Sequence, residues 1–203
     1  MVADVLLRAQ EADLAGRPVG FVDDNPDLLG RVILGIPVLG RISEISTFDH
    51  EAVIVAIGEN RRRAEVFDHL ADCAERMVAA VHPAAVVAPD VTIGESVVIC
   101  AGVVVNTGAV ISDGVILNSG FTVDHHCRID PHSHIAPGAH LGGGAHVGEG
   151  ALLGIGTSVL PGQSVGAWAT VGAGAVVTRD IPAHATFVGV PARETGKRDG
   201  CKD

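Results

Sequence analysis

The segment LGGGAH-VGEGAL-LGIGTS-VLPGQS (residues 141–164) repeats every six residues, and an aliphatic residue opens each block. The same register holds from Val81 to Val177, seventeen times in succession. A period of six fits neither an amphipathic helix nor an alternating strand, and it is typical of repeats that stack into a parallel β-helix.

Simple geometry follows from this register. Each block gives one short strand and one tight turn, in which Gly, Asn or Asp tolerates positive φ. Three blocks make one triangular coil, so residues eighteen apart lie above one another at about 4.8 Å. The pattern predicts an interior stack with small neighbouring residues at the fifth position of each block; its members are Val81, Ile99, Leu117, Ile135, Leu153 and Val171.

Residues 1–80 follow a different pattern, that of a small α/β domain. Helical spacing begins at Val2, an apolar strand ends at Phe21-Val22, and a second apolar run covers 52–57. We further predict helices over 42–48 and 61–74, short strands over 36–40 and 77–81, and a parallel sheet. Asp23-Asp24 and 58–60 then lie at carboxyl ends of strands, where such domains bind ligands.

The predicted domains are therefore a Rossmann-like domain over 1–80, a β-helix with its C-terminal extension over 81–193, and a polar, disordered tail over 194–203. The sequence opens inside the first helix. We expect that the strand and glycine loop that normally precede it are missing upstream; the alternative is a naturally reduced domain.

Composition excludes several functions. The 203-residue chain carries a net charge of −10, which argues against a nucleic-acid partner, and an anionic ligand would need a local positive site. The four cysteines show no CxxC pair, which favours free thiols in a reducing compartment. Neither a signal peptide nor an 18-residue apolar span is present, so we predict a cytoplasmic protein without a membrane partner.

Histidines concentrate in one part of the repeat: six of the ten lie between positions 125 and 146. His125 and His134 are nine residues apart, which places them at different corners of one prism. They can meet only if another copy supplies one of them, and a homotrimer would create three such interface sites.

Two motifs resemble the bacterial sugar acyltransferases related to sialic-acid O-acetyltransferases: NSGFTVDHHC (118–127) and HIAPGA (134–139). FVDDN (21–25), AIGEN (56–60) and VGVPAR (188–193) match the same family. The resemblance implies a left-handed β-helix and a homotrimer. It also implies N-acetylation of a UDP-linked 4-amino-4,6-dideoxy sugar with acetyl-CoA as acyl donor and no metal.

The resemblance also assigns the acyl-transfer residues. His125 matches the family's catalytic base, and His134 the position that contacts the acyl thioester. His126 stands where relatives commonly carry an acidic residue, which puts the tuning of the base in doubt. The remaining matches are an oxyanion donor at Gly143, pantetheine surfaces at Ile155 and Ala173, and a CoA-phosphate contact at Arg193.

The nucleotide-sugar pocket is assigned in the same way. Asp23, Asp24 and Asn60 match it, and Asn118 is assigned to the sugar. The glycine-rich loop with a His that relatives use in their first βα turn is absent from this sequence.

Three other functions fit parts of the pattern. O-acetylation of a sugar such as sialic acid would use the same base on a hydroxyl. A trimeric zinc carbonic anhydrase would hold one metal with three His between subunits. A trimeric scaffold without activity would agree with the replacement of the usual acidic residue by His126 and with the absence of the glycine-rich loop.

Overall fold

A triangular prism forms most of the molecule. The structure, a computed structural model, describes residues 1–13 and 16–195. Strands β4 to β20 are two residues each and recur every six residues. They are Ala80–Val81, Val86–Val87, Thr92–Ile93, Val98–Ile99, Val104–Val105, Val110–Ile111, Ile116–Leu117, Thr122–Val123, Arg128–Ile129, His134–Ile135, His140–Leu141, His146–Val147, Leu152–Leu153, Ser158–Val159, Ser164–Val165, Thr170–Val171 and Val176–Val177.

Every third strand joins one parallel sheet, and the prism has three such faces. The first face runs from β4 to β19 and continues into β21 (Thr186–Val188) and β22 (Arg193–Glu194). The second face runs from β5 to β20, and the third from β6 to β18. Val81 pairs with Ile99 and Leu117 with Ile135, which confirms the predicted eighteen-residue register. The fold is a left-handed parallel β-helix, as predicted.

The interior is filled by the aliphatic residue of each block and the small residue at its fifth position. Leu117, Ile135 and Leu153 are fully buried, and so is Ala139. Ser133 is also buried, and its Oγ donates to the carbonyls of Asp130 and Gly148 at 2.8 and 2.9 Å. The small hydroxyl of Ser133 is tolerated in the interior because it donates to turn carbonyls and is therefore not left without a hydrogen-bond partner.

Large side chains in the corners lie over glycines of the preceding coil. The ring of His132 covers the Cα of Gly114, and the ring of Trp168 covers Gly150. A Cβ at either glycine would collide with the ring above it. His132 and Trp168 both have φ of 58°, so their backbones occupy the left-handed turn position that other coils fill with Gly.

The N-terminal region contains two helices and a small sheet. Helix α1 (Val2–Glu11) packs on β4 and buries Val2 and Val5 in the prism core. The sheet has the order β1-β3-β2, from Phe21–Val22, Ile36–Gly40 and Val32–Ile33. Helix α2 (Asn60–Asp72) follows 3₁₀ helices at Pro26–Leu28 and Ile42–Thr47. β1 pairs parallel with β3, and β2 pairs antiparallel.

Two predictions about strands are wrong. Residues 52–57 do not join the sheet, because Val53 makes only an isolated bridge to Met77 and the amide of Val55 donates to Ser96 Oγ at 2.9 Å. The predicted strand over 77–81 is correspondingly reduced to that bridge and to β4, which belongs to the prism.

The predicted tail begins too early. Glu194 in β22 pairs with Phe187 in β21, and the amide of Thr195 donates to the carbonyl of Thr186. Residues 196–203, with Cys201, lie outside the described part of the chain.

One buried arginine joins α2 to the prism. Arg63 is 0% exposed, and its guanidinium donates to the carbonyls of Gly114 at 2.8 Å and His132 at 2.6 Å. It also donates to the carbonyls of Ile57 and Gly58. Burial lowers the pKa of Arg63 to about 10, so it remains charged at neutral pH.

Candidate active site

Two adjacent imidazoles occupy the corner between the second and third faces, which we call the second corner. His125 and His126 follow β11 and are both exposed. Their Nδ1 atoms lie 3.1 Å apart, and the rings meet edge to face with centroids 5.3 Å apart. One Nδ1 must therefore donate its proton to the other.

Glycine at position 143 makes room for the first of these rings. A Cβ there would lie 2.6 Å from Cε1 and Nε2 of His125, so any side chain would displace the imidazole. The amides of Gly142 and Gly144 donate to Val159 and His125 carbonyls, whereas that of Gly143 has no acceptor within the described residues. A free N–H beside a free imidazole nitrogen can receive an oxyanion next to a base.

His134 lies in β13 on the first face, next to the N-terminal region, and not at a corner as predicted. Its Nδ1 faces the carbonyl of Gly58 at 3.3 Å, and its Nε2 faces Asn118 Nδ2 at 3.5 Å. Burial lowers the pKa of His134, which favours the neutral ring. The structure thus brings together His134, Asn118 and the start of α2.

The corner between the first and second faces, the first corner, carries an apolar ridge. Ile155 is 62% exposed, and its carbonyl accepts from the amide of Gly174, directly after Ala173. Val188 extends the ridge over Gly172. Arg193 lies in β22, opposite Val188 and exposed.

The predicted nucleotide residues have different surroundings. Asp24 accepts from the amide of Ile42 and pairs with Arg62 at 3.1 Å, at the edge of a cavity of about 330 Å³ that also contacts Arg41 and His69. Asp23 accepts from the amide of Asn25 in its own turn.

Asn60 joins the two regions of the chain. Its Nδ2 donates to the carbonyls of Gly150 and Ala151, and its Oδ1 accepts from Arg63. A substrate contact through Asn60 would have to replace one of these bonds.

Sequence reasoning missed Arg41, Arg62 and Arg63. The last lies on the helical stripe Arg63-Val66-Leu70, which is buried, so helical spacing was the available signal. Arg41 and Arg62 come from separate elements, and no local pattern connects them.

No group of three or more metal-ligating side chains is found in residues 1–13 and 16–195. Over the same ranges, the structure has no helix of the length and apolarity needed to cross a membrane.

The candidate residues thus divide between different corners of one chain. The second corner holds the base candidate and a free amide, and the first face and first corner hold the thioester candidate and the apolar ridge. A hexapeptide β-helix with this arrangement defines the class of hexapeptide-repeat acyltransferases.

Comparisons with known proteins agree. The PglD N-terminal domain family matches residues 1–70. PerB from Caulobacter crescentus, solved with CoA and GDP-perosamine, is 38% identical over 96% of this chain and 93% of its own, with a TM-score of 0.87. The acetyltransferase domain of PglB from Neisseria gonorrhoeae FA1090, solved with acetyl coenzyme A, is 36% identical over 94% of this chain and 92% of its own, with a TM-score of 0.87. No curated protein sequence matches the chain.

The chain therefore belongs to the hexapeptide-repeat family of acetyl-CoA-dependent sugar N-acetyltransferases. This confirms the predicted family, fold class and enzyme class.

Acid should destabilise the protein through His132. Burial, and then the positive charge of Arg63, lower the pKa of His132 below its ordinary value of 6.5, and its Nδ1 has no partner among the described residues. Between the two pKa values the unfolded chain binds more protons, so stability falls as pH falls below about 6.5 and is regained as pH rises.

The measurement is thermal unfolding at pH 7.5 and 5.5 for the wild type and for His132→Asn, since Asn also tolerates positive φ. His50 acts in the opposite direction, because its hydrogen bond to Glu75 raises its pKa. His50 is present in both proteins, whereas the variant lacks the imidazole of His132. We therefore expect Tm to fall less between pH 7.5 and pH 5.5 in His132→Asn than in the wild type. Equal losses would show that His132 is not the group that titrates.

Proposed function

We propose that the protein transfers an acetyl group from acetyl-CoA to the amino group of a nucleotide-linked sugar, with His125 as general base. The observation that carries this proposal is the exposed imidazole of His125, whose Cε1 and Nε2 lie against Gly143, beside the free Gly143 amide. The family supplies the donor and the reaction class.

The chemistry needs a proton acceptor and an oxyanion donor at one point. The sugar amine attacks the thioester carbonyl while Nε2 of His125 takes its proton. The C–N bond forms, the Gly143 amide stabilises the tetrahedral oxyanion, and the C–S bond then breaks. The proton on His125 passes to the leaving CoA sulfur, which restores the base.

We propose that the active protein is a homotrimer. His125 and Gly143 lie at the second corner, whereas His134, Ile155 and Ala173 lie on the first face or at the first corner. A neighbouring copy would bring the two sets together, because the heterologous interface of a cyclic trimer takes one surface from each of two neighbouring copies. The exposed ridge at Ile155 is suited to the apolar arm of pantetheine, and Arg193 to a CoA phosphate.

The nucleotide is assigned to the cavity at Asp24. A chain with net charge −10 needs a local positive site for a diphosphate, and Arg41, Arg62 and His69 provide one there. The sugar would then extend toward Asn118 and His134. PerB was solved with GDP-perosamine, so a GDP-linked sugar is a candidate beside the predicted UDP-linked one.

A cytoplasmic location is part of the proposal. Cys100 and Cys127 are buried free thiols, which agree with a reducing compartment.

The test follows CoA release from acetyl-CoA with a thiol reagent, over GDP-, UDP- and dTDP-linked 4-amino sugars and free sialic acid. We expect turnover with at least one nucleotide-linked amino sugar and none with sialic acid. Turnover with sialic acid alone would assign O-acetylation instead. Acetyl-CoA that fails to bind at all would favour the inactive scaffold.

A further inference from the structure

The neighbour of His125 is held in an unusual position. His126 has φ of 58°, and its ring lies over Gly108, where a Cβ would be 2.9 Å from Cδ2 and 3.1 Å from Nε2. The absence of a side chain on Gly108 makes room for the ring in this orientation. In this orientation, His126 presents Nδ1 to His125 and Nε2 to the preceding coil.

A carboxylate from one coil further back contacts the same glycine. Asp90 accepts from Thr107 Oγ1 at 2.6 Å and from the Gly108 amide at 3.0 Å. The hydrogen bond from Thr107 is the main cause that lowers the pKa of Asp90, and the hydrogen bond from the Gly108 amide acts in the same direction. Asp90 is therefore ionised at neutral pH, and both its carboxylate and the Nε2 edge of His126 lie against Gly108.

The negative charge of Asp90 determines which ring nitrogens of His125 and His126 carry protons. A carboxylate near Nε2 favours the tautomer of His126 that carries its proton there, which leaves Nδ1 of His126 as an acceptor. The 3.1 Å contact then requires that Nδ1 of His125 is the donor. His125 is left with an unprotonated Nε2, the nitrogen that lies against Gly143.

Asp124 is the other carboxylate beside the pair. It accepts from the backbone amide of His125 at 2.7 Å and from Asn106 at 3.4 Å, so it orients the turn.

We propose that His126 is a positioning residue: with Asp90 behind it, it holds His125 in the tautomer whose Nε2 acts as the base. The inference rests on the proposed function for its catalytic meaning, although the tautomer itself exists without substrate. The pair accepts the amine proton at Nε2 of His125 and keeps the Nδ1 proton between the two rings. A neutral side chain thus performs the orienting role that a carboxylate can also perform.

The first test needs no substrate. Nitrogen-15 NMR of histidine-labelled protein at pH 8 reports which ring nitrogen carries a proton. We expect His125 protonated at Nδ1 and His126 at Nε2. In Asp90→Asn, which keeps an oxygen acceptor but removes the charge, the preference should weaken. His125 protonated at Nε2 in the wild type would overturn the proposal.

The second test separates kcat from KM. His126→Ala removes the acceptor, whereas His126→Asn keeps a polar δ1 atom and tolerates positive φ. We expect about a 10- to 100-fold loss of kcat in His126→Ala with both KM values unchanged, and a rate within a few-fold of wild type in His126→Asn. Wild-type kcat in His126→Ala would contradict the proposal.

The two tests also distinguish this inference from the proposed function. If NMR shows the predicted tautomers but no amino sugar is acetylated, the inference about the imidazole pair is supported and the proposed function is rejected. If an amino sugar is acetylated but NMR shows the opposite tautomers, the inference about the imidazole pair is rejected and the proposed function is supported.

Discussion

His125→Ala should lower kcat by about 10²- to 10⁴-fold, because general-base catalysis contributes that much and the variant has no replacement base. The KM values for acetyl-CoA and for the sugar should change little, since the imidazole acts mainly on the moving proton. Steady-state CoA release measures both constants. The control is His82→Ala, whose ring accepts only from the nearby Ala84 amide at the base of the prism and should leave the rate unchanged.

Mixing variants tests whether the site is shared. His134→Ala should also be inactive, yet trimers mixed from equal amounts of His125→Ala and His134→Ala chains would regain about a quarter of the wild-type sites, because each site takes one residue from each neighbour. The chains must be unfolded and refolded together so that subunits exchange. Mixtures as inactive as the separate variants would show that both residues act within one chain.

Arg63→Met should destabilise the protein by about 3–5 kcal/mol, which lowers Tm by roughly 10 °C. The change removes a buried charge that donates to four carbonyls, and it leaves the turn carbonyls at Gly114 and His132 without their partner. Thermal unfolding and limited proteolysis of the N-terminal region measure the effect.

Arg62→Met is the matched control for Arg63→Met. Arg62 is the preceding residue of the same helix, its side chain is 50% exposed, and it pairs with Asp24 and Glu65. Exposed ion pairs contribute little, so its loss should cost less than about 1 kcal/mol. If both variants unfolded at the same temperature, Arg63 would not be the joint between the two regions.

The prism could be predicted from the sequence because its register is local. Each block contains its own aliphatic residue and turn, so Ile99 and Leu117 were placed correctly without knowledge of distant contacts. The position of His125 in a corner follows from the same count, whereas His134 was expected at a corner and lies on a face.

The rest depends on contacts between distant parts of the chain. Residues 52–57 have the composition of a strand, but the amide of Val55 bonds to Ser96, 41 residues away. Arg63 looks like one of three solvated arginines, yet its acceptors at Gly114 and His132 lie 51 and 69 residues further along the chain. The cavity at Asp24 likewise combines residues from separate elements.

The stacking of rings on glycines limits how such a protein can be redesigned or can diverge. His125 depends on Gly143, His126 on Gly108, and Trp168 on Gly150, always at a distance of eighteen residues. A corner can therefore carry a bulky functional group only where the adjacent coil has glycine at the stacked position. A graft of the imidazole pair into another prism must bring both glycines with it, and related chains should exchange the members of each pair together.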